Sequence, residues 1–462
     1  YRWHAIKMLE HDKEVCEKYP LDLPDLLEHN YESQIINEKY DFIEEIISEV
    51  LLHKKRQDQF TERVDRALTH HILGIPIFLG IMAVVFFLTF TVGDWIKGYF
   101  ETAIDWLSSI TIQALEAMHT HTVLQSLVVE GVIGGVGTII TFLPNIFILF
   151  LALAFLEDSG YMARVAYIME GLMSRLGLSG KAFIPMLLGF GCTVPAIMAS
   201  RALEIKRDRY KVILVTPFMS CNARLTIYIL FSEMFFGKHA MLAAYSMYLI
   251  GIIVAIFVSL LLHLIDRKKS ANYLLIELPE YKLPDARTVS IYVWDKVKDY
   301  LGKAGTTIFL ATLLIWILLN FGPHGYAPDM SEGFGAMIGK FLVPVFAPVG
   351  LGFWQIAVAL IAGISAKEVV VSSCAVLFGI VNANSESGMA AFSLVLQKIG
   401  FGPLNAFCLM VFCLLYVPCA ATLATIQKES GSWGFTALVT IFQLVVAWIV
   451  TFLVYQIGLM FL

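Results

Sequence analysis

The stretch FIPMLLGFGCTVPAIMAS, residues 183–200, carries no charge over its whole length, yet it contains two glycines and two prolines. Its apolar length is close to the ~20 residues that cross about 30 Å of hydrocarbon. Gly189, Gly191 and Pro195, however, fall within seven residues and interrupt a helix, freeing backbone carbonyls. Irregular backbone at membrane depth is tolerated only where it lines a cavity. This stretch therefore predicts a broken or re-entrant element with the Cys192 thiol beside the break.

Working outward, longer uncharged runs surround it: Ile72–Val92, Thr138–Leu156, Met241–Leu262, Ala304–Gly322, Phe401–Ile426 and Ser432–Leu462. Interrupted runs lie at Val212–Ser232 and Gly350–Asn384. The chain is 58% hydrophobic and 15% charged, with a mean hydropathy of +0.73, against about 25% charge in soluble domains. Backbone groups in lipid must be satisfied internally, so these runs are helices. The fold class is an all-α, polytopic transmembrane bundle.

Charge is uneven. Residues 1–71 hold 10 of 33 Lys+Arg and 16 of 38 Asp+Glu, and the remainder is close to neutral. A polar head thus precedes the apolar body, with soluble helices expected at 1–18 and 30–66 around the Pro20/Pro24 linker. The first residue is Tyr1, which reads as a cut boundary with something missing upstream. No basic stripe suggests a nucleic-acid partner. The seven cysteines (16, 192, 221, 374, 408, 413 and 419) lie mostly in apolar segments and are expected to be reduced.

Lys54-Lys55-Arg56, Arg201–Lys211 and Arg267–Lys269 are basic and assign their joints to the cytoplasm. If Ile72–Val92 and Thr138–Leu156 both cross, Phe183–Ser200 begins and ends on the cytoplasmic side. Two halves then share an order of elements: a span, a Gly-rich break (183–195; 362–368), a Pro-interrupted helix (Pro217; Pro418) and a clean span. On this orientation they are inverted gate repeats, which place a substrate site at the midplane. The expected division is 1–66 (tail of a cytoplasmic helical domain), 67–137 (first transmembrane helix and an external amphipathic segment), 138–265 (gate repeat 1), 266–302 (cytoplasmic linker and amphipathic helix) and 303–462 (gate repeat 2).

Cys192, Cys221 and Cys419 stand at three of the breaks. Sulfur donors favour Fe(II), Cu(I) or Zn(II) over Mg²⁺ or Ca²⁺, while a free Cys can also be simply a small buried hydrophobe; Cys374, Cys408 and Cys413 fit that description. Intramembrane charge is costly and usually functional. Lys367 and Glu368 read either as structure or as path, and Arg224 interrupts another span. Glu157 and Asp158 read either as an interfacial cap or as metal donors. Met186 and Met219 are expected to pack, and His119/His121 could collect cations at an external loop. No phosphate-binding Gly-x-x-x-x-Gly-Lys-[Ser/Thr] run and no dinucleotide fingerprint occurs, so any energy source is encoded elsewhere.

Several motifs carry a family resemblance. Asp65-Arg-Ala-Leu-Thr-His-His-Ile-Leu-Gly-Ile-Pro-Ile-Phe78, Glu157-Asp-Ser-Gly-Tyr-Met-Ala-Arg164, Gly189-Phe-Gly-Cys-Thr-Val-Pro-Ala196, Phe218-Met-Ser-Cys-Asn-Ala-Arg-Leu225, Ala366-Lys-Glu-Val-Val-Val371 and Tyr416-Val-Pro-Cys-Ala-Ala-Thr-Leu423 resemble FeoB-type ferrous iron transporters across essentially the whole chain. Thr193 departs from the Asn or Ser expected in the gate motif and still offers an oxygen. The resemblance implies Fe²⁺ uptake across the bacterial cytoplasmic (inner) membrane by a multi-pass transporter that is not an enzyme. It implies a path through Cys192, Cys221 and Cys419; the intramembrane acids Glu157, Asp158 and Glu368, read from their own positions, are further candidate metal donors. It also implies gating by an N-terminal GTPase domain, lacking here, where GTP and Mg²⁺ would bind; no cofactor is expected in this chain. Further expected partners are Fe²⁺ itself, the lipid bilayer, a small cytoplasmic accessory protein and a second copy of the chain. Competing readings are a nucleoside-like or other organic solute carrier, a membrane enzyme, and an inert anchoring partner.

Overall fold

The computed structural model describes residues 5–7, 31–50, 64–66, 68–70, 73–203, 205–265, 279, 281–323, 325–326, 332–380 and 386–461. The chain divides into two units, Tyr1–Val64 and Asp65–Leu462. In the first unit, helix α1 (Glu32–Val50) is amphipathic in sequence, in keeping with the helix expected there. Most of the other expected soluble helix, 1–18, and Cys16 with it, lies outside the described residues, as do the basic triplets at 54–56 and 267–269.

The second unit is a helical membrane bundle. Among the described residues, five helices are long and apolar enough to cross a membrane, or six if a pair bent by 102° is one span. Helix α2 (Gly74–Ala117) continues 25 residues past the uncharged run that ended at Val92. At 1.5 Å per residue it is about 66 Å long, twice the hydrocarbon thickness. Gly93 and Gly98 do not end it, because the following ETAIDWLSSITIQALEA is itself helix-forming and needs no core to pack on. Trp95 and Tyr99, edge to face at 5.1 Å, are exposed where α2 leaves its apolar run, the usual place for an aromatic belt.

The chain returns through α3 (Gly134–Asp158), which contains Pro144, and turns at Gly160 (φ 82°) into α4 (Tyr161–Arg175). Next come two short helices, α5 (Phe183–Leu188) and α6 (Thr193–Ala199). Lys181 before them and Arg201 after them line the same cavity, so the segment leaves and re-joins one end of the bundle, as its sequence predicted. Helix α7 (Lys206–Val215) stops two residues before Pro217, and α8 (Asn222–Phe236) resumes after Cys221. Helix α9 (Ala240–Ile265) completes the first repeat.

The second repeat follows the amphipathic α10 (Ala286–Asp299). Helix α11 (Thr306–Asn320) is extended at its start by the π-helical turns Tyr300–Gly305. A two-stranded hairpin, β1 (Phe321–Gly322) against β2 (Gly325–Tyr326), pairs Phe321 with Tyr326. Helix α12 (Phe334–Phe346) bends sharply into α13 (Trp354–Ala362), which is followed by α14 (Val369–Leu377). Helices α15 (Glu386–Lys398), α16 (Pro403–Leu415), α17 (Ala420–Ser430) and α18 (Trp433–Phe461) end the chain.

Burial sorts these elements. Of the apolar window in 403–430, 83% is buried inside the protein, against 22% in each of α2 and α18. The interrupted pair at 403–430 therefore lies at the centre and α2 and α18 lie at the lipid-facing periphery, while the span ending in α3, 56% buried, packs against the centre. The two repeats run in opposite senses. The C-terminal ends of α6 and α17 meet through an Arg201–Glu429 ion pair. Phe378, at the end of α14, meets Phe392, which meets Phe231 of α8 (ring centroids 5.8 and 6.3 Å). Thus α6 and α17 run to one end of the bundle, and α8 and α14 run to the other.

Candidate functional site

Four half-helices begin at one cavity, and each begins at a candidate residue. Cys192 is the N-cap of α6, Cys221 of α8, Glu368 of α14 and Cys419 of α17. All four line a single cavity of about 900 Å³. None of the four caps its helix with a side-chain hydrogen bond, although Ser, Thr, Asp or Asn normally do so at this position. Thiols stand where capping oxygens would be expected.

The local sequence explains each break. Gly189 is required because a Cβ there would lie 2.9 Å from the Met186 carbonyl and 3.0 Å from the Met219 Cβ; a Cβ on Gly191 would lie 3.0 Å from Phe86. Pro195 sits in the first turn of α6, where its missing N–H costs nothing. Thr422, three residues after Cys419, brings its hydroxyl to 3.2 Å from the thiol, an arrangement like a capping box.

The two repeats are tied in matching ways. The amide of Asn222, just after Cys221, donates to the Gly191 carbonyl at 3.3 Å; the amide of Ala420, just after Cys419, donates to the Ile364 carbonyl at 2.7 Å. This pairing sets Gly191 against Ile364, and so Cys192 against Ser365. Ser365 is buried on the cavity wall, its hydroxyl donating to the Ala362 carbonyl at 2.8 Å. Reading the sequence for thiols missed Ser365; aligning the two breaks residue by residue would have found it. Thr193, whose oxygen the gate motif marks, is on the wall too, together with Asn145, Asn222 and Tyr300, which nothing local singles out.

Two further cavities continue the central one. Toward the end marked by Glu233 lies a wider one of about 1140 Å³. It shares Asn145, Asn222 and Glu368 with the centre and adds Asp94, Lys97, Glu101 and Glu233. Asn145 Nδ2 donates to Asp94 at 2.8 Å, and Lys97 pairs with Glu101 at 3.4 Å. Toward the other end, a smaller space of about 320 Å³ shares Val194 and Tyr300 with the centre. Its wall includes the Arg201–Glu429 pair and Lys428. The Glu429 carboxylate, 2% exposed, also pairs with Arg209 at 2.5 Å. The row of cavities is lined by acids at one end and by a cross-linked cluster of basic residues at the other.

The structure does not bring all six candidate donors together. Glu157 lines a separate cavity near the basic end, with Lys181, Arg201 and Lys296. Asp158 pairs with Lys282 at 2.8 Å and accepts from the Asp285 amide at 2.9 Å. Asp285 in turn caps α10, accepting from the amide and hydroxyl of Thr288 at 3.0 and 2.9 Å. These bonds hold its carboxyl below the usual carboxylate range. Arg164, at the end of the same motif, forks onto Asp65 at 2.9 and 3.2 Å and stacks 4.0 Å over the Tyr281 ring. The motif Glu157–Arg164 thus clasps the connections at the basic end.

Lys367 is buried, lies 3.3 Å over the Tyr416 ring and donates to the Val417 carbonyl, so it serves the opposite break. Met186 and Met219 are buried in the core, and Cys374, Cys408 and Cys413 are fully buried there. His119 and His121 are exposed beyond α2. Among the described residues no group of three His, Cys, Asp or Glu is arranged to hold a metal ion. The cavity presents donors around a space, not a closed coordination shell.

Comparison with known proteins gives three family profiles. One described as "Gate: Nucleoside recognition" matches residues 139–235 and 301–433. "Ferrous iron transport protein B C terminus" matches 244–296, and "FeoB cytosolic helical domain" matches 1–51. An "Fe(2+) transporter FeoB" of Staphylococcus aureus (strain MSSA476) is 41% identical over 91% of this chain and 62% of its own length. One of Methanocaldococcus jannaschii is 36% identical over 99% of this chain and 70% of its own. An "Fe(2+) transport protein A/Fe(2+) transporter FeoB fusion protein" of Porphyromonas gingivalis is 34% identical over 100% and 61%. The chain therefore spans about 62% of the staphylococcal relative's length. No solved structure matches.

Proposed function

We propose, from the premise that this chain belongs to the FeoB family of ferrous iron transporters, that it is the membrane path by which Fe²⁺ crosses into the cytoplasm. The observation that carries this reading is the convergence of Cys192, Cys221, Glu368 and Cys419, each the N-cap of a half-helix, on one cavity. The names of the relatives supply the cargo; the donors suit it.

The positive-inside rule assigns the end bearing Arg201, Arg209 and Lys428 to the cytoplasm. The acidic vestibule around Asp94, Glu101, Glu233 and Glu368 then faces outward and raises the local concentration of cations. An ion entering there exchanges water for Glu368 and the Asn145 and Asn222 amides, then for thiols. A thiol that takes the metal releases its proton. Having too few donors for a closed shell is an advantage in a conductor, since an ion must leave as readily as it binds. Asp158 takes the interfacial role of the two left open for it, and Glu157 faces the cytoplasmic end of the route. The membrane is the bacterial cytoplasmic (inner) membrane. The Arg201–Glu429–Arg209 cluster closes the inner end, and a GTP-binding domain acting through the cytoplasmic joints is the expected regulator. The fusion named for the Porphyromonas relative supports a small accessory protein.

The test is metal influx into liposomes holding the full chain, read with Fe²⁺, Zn²⁺ and Mn²⁺. Replacing Cys192, Cys221 and Cys419 together by Ser should abolish Fe²⁺ influx while leaving the protein folded. Undiminished influx in that variant ends the thiol-path reading.

A second reading has its own support. Phe90, Phe142 and Tyr300, with Asn145 and Asn222, line the same cavity, and aromatic and amide groups are what an organic base requires. The gate profile's description also names nucleosides. Nucleosides competing with Fe²⁺ in the influx assay would favour this carrier.

A further inference from the structure

Each broken helix leaves carbonyl oxygens without helical partners at the end of its first half. In membrane carriers such oxygens are ready ligands for hard cations. In this chain the Pro-interrupted helix of each repeat has such a carbonyl already bonded by a buried side chain. Arg224 Nη1 donates to the Pro217 carbonyl at 3.0 Å and to the Met219 carbonyl at 2.9 Å. Lys367 Nζ donates to the Val417 carbonyl. Met219 and Val417 each stand two residues before a break cysteine, Cys221 and Cys419, so the same carbonyl is bonded in both repeats.

The two donors arrive by different routes. Arg224 comes from the first turn of α8, on its own repeat element, whereas Lys367 comes from the re-entrant break beside α14 and lies over the Tyr416 ring. Both side chains are buried, at 1% and 2% exposure. Pro217, Met219 and Val417 do not line the cavity; Lys367 and the thiols do. Two unrelated side chains solving one problem at equivalent positions suggests that the carbonyls themselves are what must be covered.

We propose that Arg224 and Lys367 determine cation specificity by keeping the break carbonyls out of the path. A cation that depends on neutral oxygen donors, such as Na⁺, Mg²⁺ or Ca²⁺, then finds Glu368 and amides but no carbonyl cage. A cation seeking the Val417 carbonyl must displace the Lys367 donor or crowd beside it, within about 5 Å of the Lys367 nitrogen, on the other lone pair. A metal that displaces thiol protons brings its own compensation and is retained. This inference rests on the cavity being the ion path.

Full chain in liposomes is assayed for Fe²⁺, Mn²⁺ and Ca²⁺ influx as wild type, Lys367→Met and Lys367→Arg. Lys367→Met is expected to raise Ca²⁺ and Mn²⁺ influx relative to Fe²⁺ on the order of tenfold, the scale of one buried hydrogen bond released. Lys367→Arg should restore the wild-type ratio. A merely structural lysine would lower all three fluxes together, and that result, or an unchanged ratio, overturns the proposal. Should Lys367→Met not fold in detergent, Arg224→Met carries the test. It removes the nitrogen that donates to both the Pro217 and the Met219 carbonyl, so the ratio should still rise; no rise overturns the proposal. Wild-type chain that moves no Fe²⁺ sinks the transport reading and this inference with it. Fe²⁺ influx with variant ratios unmoved sinks this inference alone.

Discussion

Replacing Glu429 by Gln should unlock the inner end of the route. Its carboxylate accepts from Arg201 Nε at 2.8 and 2.7 Å, with a further contact from Arg201 Nη2, and from Arg209 Nη2 at 2.5 Å; Arg209 also bonds the Glu429 carbonyl at 2.9 Å. At an effective dielectric of 20, a charge pair 4 Å apart is worth about 4 kcal/mol. The carboxylate is 2% exposed, but the arginines are 44% and 25% exposed, so desolvation and screening offset much of that. A net contribution of about 2 kcal/mol remains. If the bonds form only when the inner end is shut, their loss raises the open population roughly 30-fold. The assay is the rate at which a charged, membrane-impermeant thiol reagent, applied from the basic side of vesicles, modifies Cys192 and Cys419. The rate should rise by up to that factor in Glu429→Gln. Arg201→Ala should add little on top of it, because both act on one cluster. A rate within about twofold of wild type in both single variants refutes the latch, since a 2 kcal/mol bias cannot vanish from both.

Gly189→Ala should destabilise the bundle by about 1–3 kcal/mol, because the new methyl meets the Met186 carbonyl at 2.9 Å and Met219 at 3.0 Å where two breaks touch; a melting temperature equal to wild type would contradict this. At Asp65, burial raises the carboxyl's pKa, but the hydrogen bonds and charge of Arg164 outweigh it and hold it below the ordinary 3.8. A depressed folded-state value means the contribution is complete above the unfolded value and is lost as pH falls through the folded one. Asp65→Asn should therefore weaken the protein at neutral pH and flatten the acid limb of its stability profile below about pH 4. Parallel acid limbs for the two proteins would show that the clasp contributes nothing.

The membrane class was legible in the sequence because hydrocarbon thickness and internal backbone bonding leave few alternatives for long uncharged runs. The breaks were legible too: Gly189, Gly191, Pro217 and Pro418 act within a residue or two of themselves, so local chemistry announces them. Cys192, Cys221 and Cys419 could be singled out for the same reason. Hydropathy marks the first span only to Val92, and that the amphipathic segment beyond it continues the same helix to Ala117 is a matter of helix propensity rather than of hydropathy.

What tertiary structure alone decided is which of these residues meet. Cys192 and Cys419 are 227 positions apart, and nothing in either neighbourhood says that both head half-helices on one cavity. Glu157 and Glu368 look alike as intramembrane acids, yet one faces the basic end and the other the centre. The destination of Lys367 at the Val417 carbonyl, 50 residues on, is likewise set by how the two repeats interlock. A helix break is a short-range property of the chain; a site assembled from four breaks depends on inverted packing, which no window of sequence contains.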